Sequence, residues 1–294
     1  MPASWSRDNG RVTNATPRVL VSVSSLAASL AAGEPVHLLD VRWSLAVPDG
    51  RDAYRAGHLP GAVYVSLDTE LSRHGAPEEG RHPLPDVSAL QDAARRWGLR
   101  SGERVVVYDD GPGLAAARAW WLLRWAGVED VVLLDGGLAA WQVAGGALEA
   151  GDAVVGPGDV TLTGGHLPTA DDDDAAAWPA RGVLLDARAG ERYRGETEPV
   201  DPRAGHVPGA VSAPTIENLA ADGRFLPRDQ LAARFAALGV TGGSPVAVYC
   251  GSGVTAAHEI AALALVGVPA ALYPGSWSAW SNQPDRPAAT GPTP

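Results

Sequence analysis

The sequence predicts an α/β protein made as a tandem duplication, each copy a mostly parallel sheet flanked by helices on both faces. Two observations carry this. Four blocks recur in one order: HLLDVR, GHLPGAVYV, RVVVYDDGPGLAAARAWWLLRWAGV and LDGGLAAW, then VLLDAR, GHVPGAVSAP, PVAVYCGSGVTAAHEIAALALVGV and YPGSWSAW. Within each copy, short β-rich apolar runs alternate with helical periods, the pattern of a parallel sheet covered on both sides. The length of 294 residues suits two such cores.

Taken in order, residues 1–18 lack the apolar core of a signal peptide and read as a disordered tail. VLVSVSSLAASLAAG reads as a short strand entering a helix capped near Ser24 or Ser25, and it is too short and too serine-rich to span a membrane. VHLLDV, RVVVYD and DVVLLD are the strands of the first copy, and DVSALQDAARRWG is a helix closed by glycine. PVAVYC, AALYPG and the helix RDQLAARFAALG play the same parts in the second copy. Glycines, prolines and acids between the copies mark a boundary. The expected organisation is an N-terminal domain over 17–147, a linker over 148–165 and a C-terminal domain over 166–285. The run Asp171–Asp174 reads as the acidic first turn of a helix, favoured by its dipole, and not as a metal site.

Composition narrows the function. A net charge of −11 lacks the basic footprint that phosphate backbones require, so nucleic acid is not an expected partner. One cysteine allows neither an intrachain disulfide nor a cysteine metal cage. No metal or cofactor is expected, and a cytoplasmic, membrane-free location follows by default.

That single thiol, Cys250, ends an apolar strand and opens the glycine-rich turn CGSGVT before a helix that Gly267 stops. The C-terminal edge of a parallel sheet is where ligands bind. Two glycines let successive N–H groups turn inward as an anion nest, and the helix dipole adds to the same field. Both effects favour a thiolate, so Cys250 reads as a nucleophile more than as a small buried hydrophobe. The first copy has Asp109 at this position, so only the second copy is expected to react. The loop also lacks the arginine that a cysteine phosphatase places six residues on; Ala256 stands there, after Tyr249 and Cys250. His58 and His206 are available as bases for protease-type chemistry, but neither sits in a protease signature.

The repeated D-x-R and G-H-x-P-G-A motifs, the strand-terminal CGSGVTA loop and the closing YPGSWSAW together resemble the two-domain rhodanese-type sulfurtransferases, from about Val19 to Trp280. In that family the N-terminal domain is inactive and the C-terminal one carries the cysteine. The resemblance implies that Cys250 takes a sulfane sulfur as a persulfide and passes it to cyanide, a small thiol or thioredoxin, a two-step covalent cycle. Gly251, Gly253, Val254 and Thr255 would line the donor and persulfide, as an oxyanion hole lines oxygen.

Thiosulfate-preferring members resemble CRKGVT, with two cations beside the cysteine; neutral Gly251 and Ser252 match the 3-mercaptopyruvate pattern instead. For that donor the family assigns leaving-group protonation to the loop serine, here Ser252, through a histidine and an aspartate of the first domain. His58 and Asp52 are the expected pair, although His206 repeats His58 in the second copy, as a structural role would also require. The donor carboxylate would meet Arg192, which precedes Tyr193 in the family's R-[F/Y] step, and Arg203 of EPVDPR, where the family has a shorter E-P-R segment. Arg42 and Arg188 of the D-x-R motifs recur in both copies and read as structural. The competing readings are a thiosulfate:cyanide sulfurtransferase and a non-catalytic persulfide carrier or redox-sensing module.

Overall fold

A computed structural model describes residues 18–294. The N-terminal stretch read from the sequence as a tail lies outside the described residues, except for its last position. Among the described residues nine strands, β1 (Leu20–Val21), β2 (Val36–Asp40), β3 (Val63–Tyr64), β4 (Arg104–Tyr108), β5 (Val131–Leu134), β6 (Val183–Asp186), β7 (Val211–Ser212), β8 (Val246–Tyr249) and β9 (Ala270–Leu272), form two sheets. Their orders are β1-β5-β4-β2-β3 and β7-β6-β8-β9, and every pairing is parallel. The duplication is visible strand for strand, since β2, β3, β4 and β5 occupy the places of β6, β7, β8 and β9. The place of β1 is taken in the second sheet by a single parallel bridge from Thr169 to Leu272.

Side chains alternate across a strand, and the cores follow that period. Leu39, Val105, Val107, Val131 and Leu133 of the first sheet share one cluster with Leu185, Val246, Val248 and Cys250 of the second. The helices Leu114–Trp125 and Thr255–Leu265 belong to this shared core and pack on each other between the sheets. The intervening residues Leu38, Val106, Tyr108 and Val132 face a second cluster, and Leu184, Ala247 and Tyr249 face a third. Cys250 continues the Val246–Val248 face, so the strand period itself aims its sulfur toward the domain boundary.

The first helix runs Val23–Ala31, and its cap is Ser22, not Ser24 or Ser25; Ser22 Oγ accepts the Ser25 N–H at 3.1 Å. The earlier start satisfies an orphan donor of the first turn that a cap at Ser24 would leave to water. Asp171 and Asp174 form a reciprocal capping box at the helix Asp172–Ala177. Among the described residues no helix is long and apolar enough to cross a membrane.

Candidate active site

Cys250 is 1% exposed and closes β8 at a cavity of about 510 Å³ between the two domains. The walls include Trp43, Leu45 and Pro112 from the first domain and Arg192, Pro214 and Ile216 from the second. The volume suits a small ligand. Gly253 N–H donates to Cys250 Sγ at 3.2 Å, the inward-turned amide that the glycine loop was expected to supply. Gly253 has φ +76°, and a Cβ there would lie 2.8 Å from the Pro274 carbonyl oxygen, so only glycine fits. Gly251, Val254 and Thr255 also line the cavity, and Thr255 opens the helix.

The closing block of the second copy holds this loop in place. Ser276 Oγ accepts the Cys250 N–H at 3.2 Å and donates to the Tyr273 carbonyl. Trp277 and Ser278 N–H groups bind the Cys250 and Gly251 carbonyls, both at 2.9 Å. The backbone either side of the sulfur is therefore fixed before any donor arrives.

Ser252 is where the domains meet chemically. Its hydroxyl lies 2.8 Å from His82 Nδ1, and His82 Nε2 lies 3.4 Å from Asp68 Oδ1. Trp43 Nε1 donates to the same Asp68 oxygen at 2.8 Å and its ring meets His82 edge-on. Burial first, and the neighbouring Arg118 charge second, hold His82 well below the usual histidine range. Neutral His82 has one N–H; placed on Nε2 toward the carboxylate, it leaves Nδ1 to accept from Ser252 O–H.

The expected pair His58 and Asp52 is not at this place. His58 is fully buried, stacked on Tyr54 at 4.0 Å, with Nδ1 3.0 Å from the Tyr54 carbonyl. His206 does the same on Tyr193 at 3.8 Å, so the motif G-H-x-P-G-A carries a packing histidine in both copies. Asp52 is exposed on the helix Arg51–Ala56, 4.0 Å from Arg55. Arg203 is also elsewhere: its guanidinium binds the carbonyls of Trp280, Ser281, Gln283 and Arg286, fastening the end of the helix Ser276–Ser281 and the chain after it. With its nitrogens spent on these carbonyls, Arg203 does not line the cavity.

Arg192 does line the cavity, held by Glu198 at 2.6 Å and Asp201 at 3.1 Å. Arg81 lines it too, ion-paired with Asp201 from across the boundary. The sequence reading missed Asp68, Arg81 and His82. A signal for His82 exists: GRH (Gly80–His82) recurs as GRF (Gly223–Phe225) in the second copy, with phenylalanine in the histidine's place, whereas His58 is repeated by His206, and a group serving one reaction centre need not be duplicated. Arg42 and Arg188 behave as expected, each gripping its D-x-R aspartate, Asp40 at 2.9 Å and Asp186 at 2.5 Å.

Asp109 shows what the twin loop does with the same architecture. It is buried, and its carboxylate accepts N–H groups from Gly111, Gly113, Ala115 and Ala116 at 2.9–3.2 Å. A fixed carboxylate thus fills the anion nest that lies before the sulfur in the second copy.

Two parallel sheets related by duplication, with one thiol in a nest at their boundary, define a tandem α/β protein with a single thiol site. The family model for the rhodanese-like domain matches residues 22–144 and 171–283. The chain is 50% identical over 279 residues to a Mycobacterium tuberculosis protein provisionally named a thiosulfate sulfurtransferase, SseB, covering 93% of this chain and 98% of that one. It is 49% identical over 286 residues to a Pseudomonas aeruginosa protein provisionally named a 3-mercaptopyruvate sulfurtransferase, covering 92% and 98%. The crystal structure of the 3-mercaptopyruvate enzyme SseA from Escherichia coli superposes with a TM-score of 0.79 at 33% identity, covering 88% of this chain and 99% of that one. The chain belongs to the rhodanese family. It is a sulfurtransferase, acting on a small-molecule sulfur donor and acceptor.

Proposed function

We propose that the enzyme takes sulfur from 3-mercaptopyruvate through a persulfide on Cys250. The observation that carries this donor assignment is the Ser252–His82–Asp68 chain beside the sulfur. In the first half-reaction Cys250 Sγ attacks the donor sulfur; the new S–S bond forms as the C–S bond breaks. The electron pair of that C–S bond leaves as pyruvate enolate, and the proton of the donor thiol ends on it to give pyruvate. Ser252 and neutral His82 supply the path for that proton. Sulfite, the leaving group from thiosulfate, is stable as an anion and has no use for such a path.

In the second half-reaction a nucleophile takes the outer sulfur and Cys250 returns as thiolate, which gives ping-pong kinetics. Cyanide, a small thiol and a reduced thioredoxin all have the required chemistry, and the cytoplasm is the compartment that supplies such thiols. Arg192 is the group that would hold the donor's carboxylate. The thiosulfate reading has one observation in its favour, the name of the M. tuberculosis relative. The specificity constants for the two donors separate them: 3-mercaptopyruvate ahead is expected, and thiosulfate ahead would overturn the assignment.

A further inference from the structure

We propose that Arg81, from the catalytically silent domain, is the second guanidinium of the donor site and grips the donor carboxylate together with Arg192. The inference rests on the sulfurtransferase reading above and adds a residue to its binding site. A Cβ built on Gly251 would lie 3.1 Å from Arg81 Nη2 and 3.4 Å from Arg192 Nη1. Two guanidinium groups from different domains therefore converge over the residue that follows the cysteine.

Among the described residues each arginine keeps one of its two terminal nitrogens unpaired. Arg81 Nη1 is taken by Asp201, and Arg192 spends Nε and Nη2 on Glu198 and Asp201. Arg81 Nη2 and Arg192 Nη1 have no hydrogen-bond acceptor among the described residues, and both arginines line the cavity that holds Cys250. Asp201 and Glu198 are nearly buried, with side chains 2% and 4% exposed. Asp201 sits between the two cations and aims both, offsetting the repulsion that would otherwise separate them. A carboxylate meeting the pair gains two charge-assisted bonds from groups already held in place.

Arg81 is also fixed from behind. Its N–H donates to Ser278 Oγ at 3.1 Å, and a Cβ on Gly80 would lie 2.6 Å from the Gly275 carbonyl oxygen. The Gly80–Arg81–His82 segment is pressed against the second domain, and neighbouring residues deliver one cation to the donor and one imidazole to Ser252. A side chain at Gly251 would crowd both guanidinium groups, so the glycine leaves them room beside the cysteine. Arg203, bound to four carbonyls elsewhere, leaves the role of second guanidinium open.

The test compares alkylation of Cys250 by iodoacetate, a carboxylate, with alkylation by neutral iodoacetamide. The ratio of the two rates cancels thiol reactivity and reads only the reagent's charge. For the wild-type enzyme the ratio should exceed that of a free small thiol. Arg81→Gln should lower it about tenfold, and Arg192→Gln by a similar factor. Arg81→Gly combined with Gly251→Arg should restore much of it, because the guanidinium returns to the same space from the loop. An unchanged iodoacetamide rate confirms that the variant site is folded. A wild-type ratio equal to the free thiol's, or an Arg81→Gln ratio equal to the wild type's, overturns the proposal. Absence of sulfur uptake from any donor is a separate readout, and it bears on the sulfurtransferase reading alone.

Discussion

Ser252 Oγ and His82 Nδ1 meet at 2.8 Å although 170 residues separate them in the chain. The contact crosses the domain boundary, so a reaction centre carried by one copy of the duplication is completed by the other. Replacing either partner should lower kcat with 3-mercaptopyruvate by about 10²-fold or more, the usual worth of a positioned proton-transfer group. Turnover of thiosulfate by Ser252→Ala should stay near the wild-type value, because sulfite leaves without a proton. Steady-state kinetics with both donors check this, and equal losses on both would assign Ser252 a purely structural part.

The protonation state of His82 sets the acid limb. Burial and the Arg118 charge push its pKa down to about 4. The relay needs Nδ1 unprotonated, so it works above that value and fails as pH falls through it. The kcat profile with 3-mercaptopyruvate should therefore show no histidine-like loss near pH 6.5 and should decline only toward pH 4. A limb near 6.5 that disappears in Ser252→Ala would contradict the buried, neutral imidazole.

Arg203→Ala should cost stability without touching the donor. Its four carbonyl partners are the last two residues of the helix Ser276–Ser281 and two just beyond it, and the first residues of that helix hold the cysteine loop. A loss of about 1–3 kcal/mol is expected in thermal unfolding, with KM for 3-mercaptopyruvate unchanged. A raised KM at wild-type stability would return Arg203 to the donor site.

Asp109→Asn is the complementary test in the silent copy. The carboxylate accepts four N–H groups, and an amide turns one acceptor into an unwelcome donor among them. Unfolding free energy should fall by about 1–3 kcal/mol while activity per folded molecule is kept. Lost activity at unchanged stability would mean that the twin loop takes part in turnover.

The fold was legible because its signals are periodic and doubled: apolar strands, glycine-closed helices and four repeated blocks each predict the same architecture. The cysteine loop was legible because Cys250, Gly253 and the helix start are adjacent in sequence, and their chemistry follows from local backbone geometry. The relay was not, because Asp68 and His82 join Ser252 only through domain packing. The choice of His58 failed for a physical reason: in both copies the G-H-x-P-G-A histidine is used to stack on a tyrosine and bind its carbonyl. Arg203 failed because its guanidinium is spent on four backbone carbonyls at the end of the helix Ser276–Ser281 and just beyond it, partners that only the folded chain brings to it. Arg192 reached the cavity because its short helix follows directly on the D-x-R turn that both copies keep.

The central claim is that sulfur passes through Cys250. Intact-mass measurement after mixing the enzyme with 3-mercaptopyruvate, without an acceptor, tests it most directly. One added sulfur atom, carried on the peptide that contains Cys250, removed by cyanide and absent in Cys250→Ser, is the predicted result. An unmodified mass with both 3-mercaptopyruvate and thiosulfate, while product still accumulates, would contradict it.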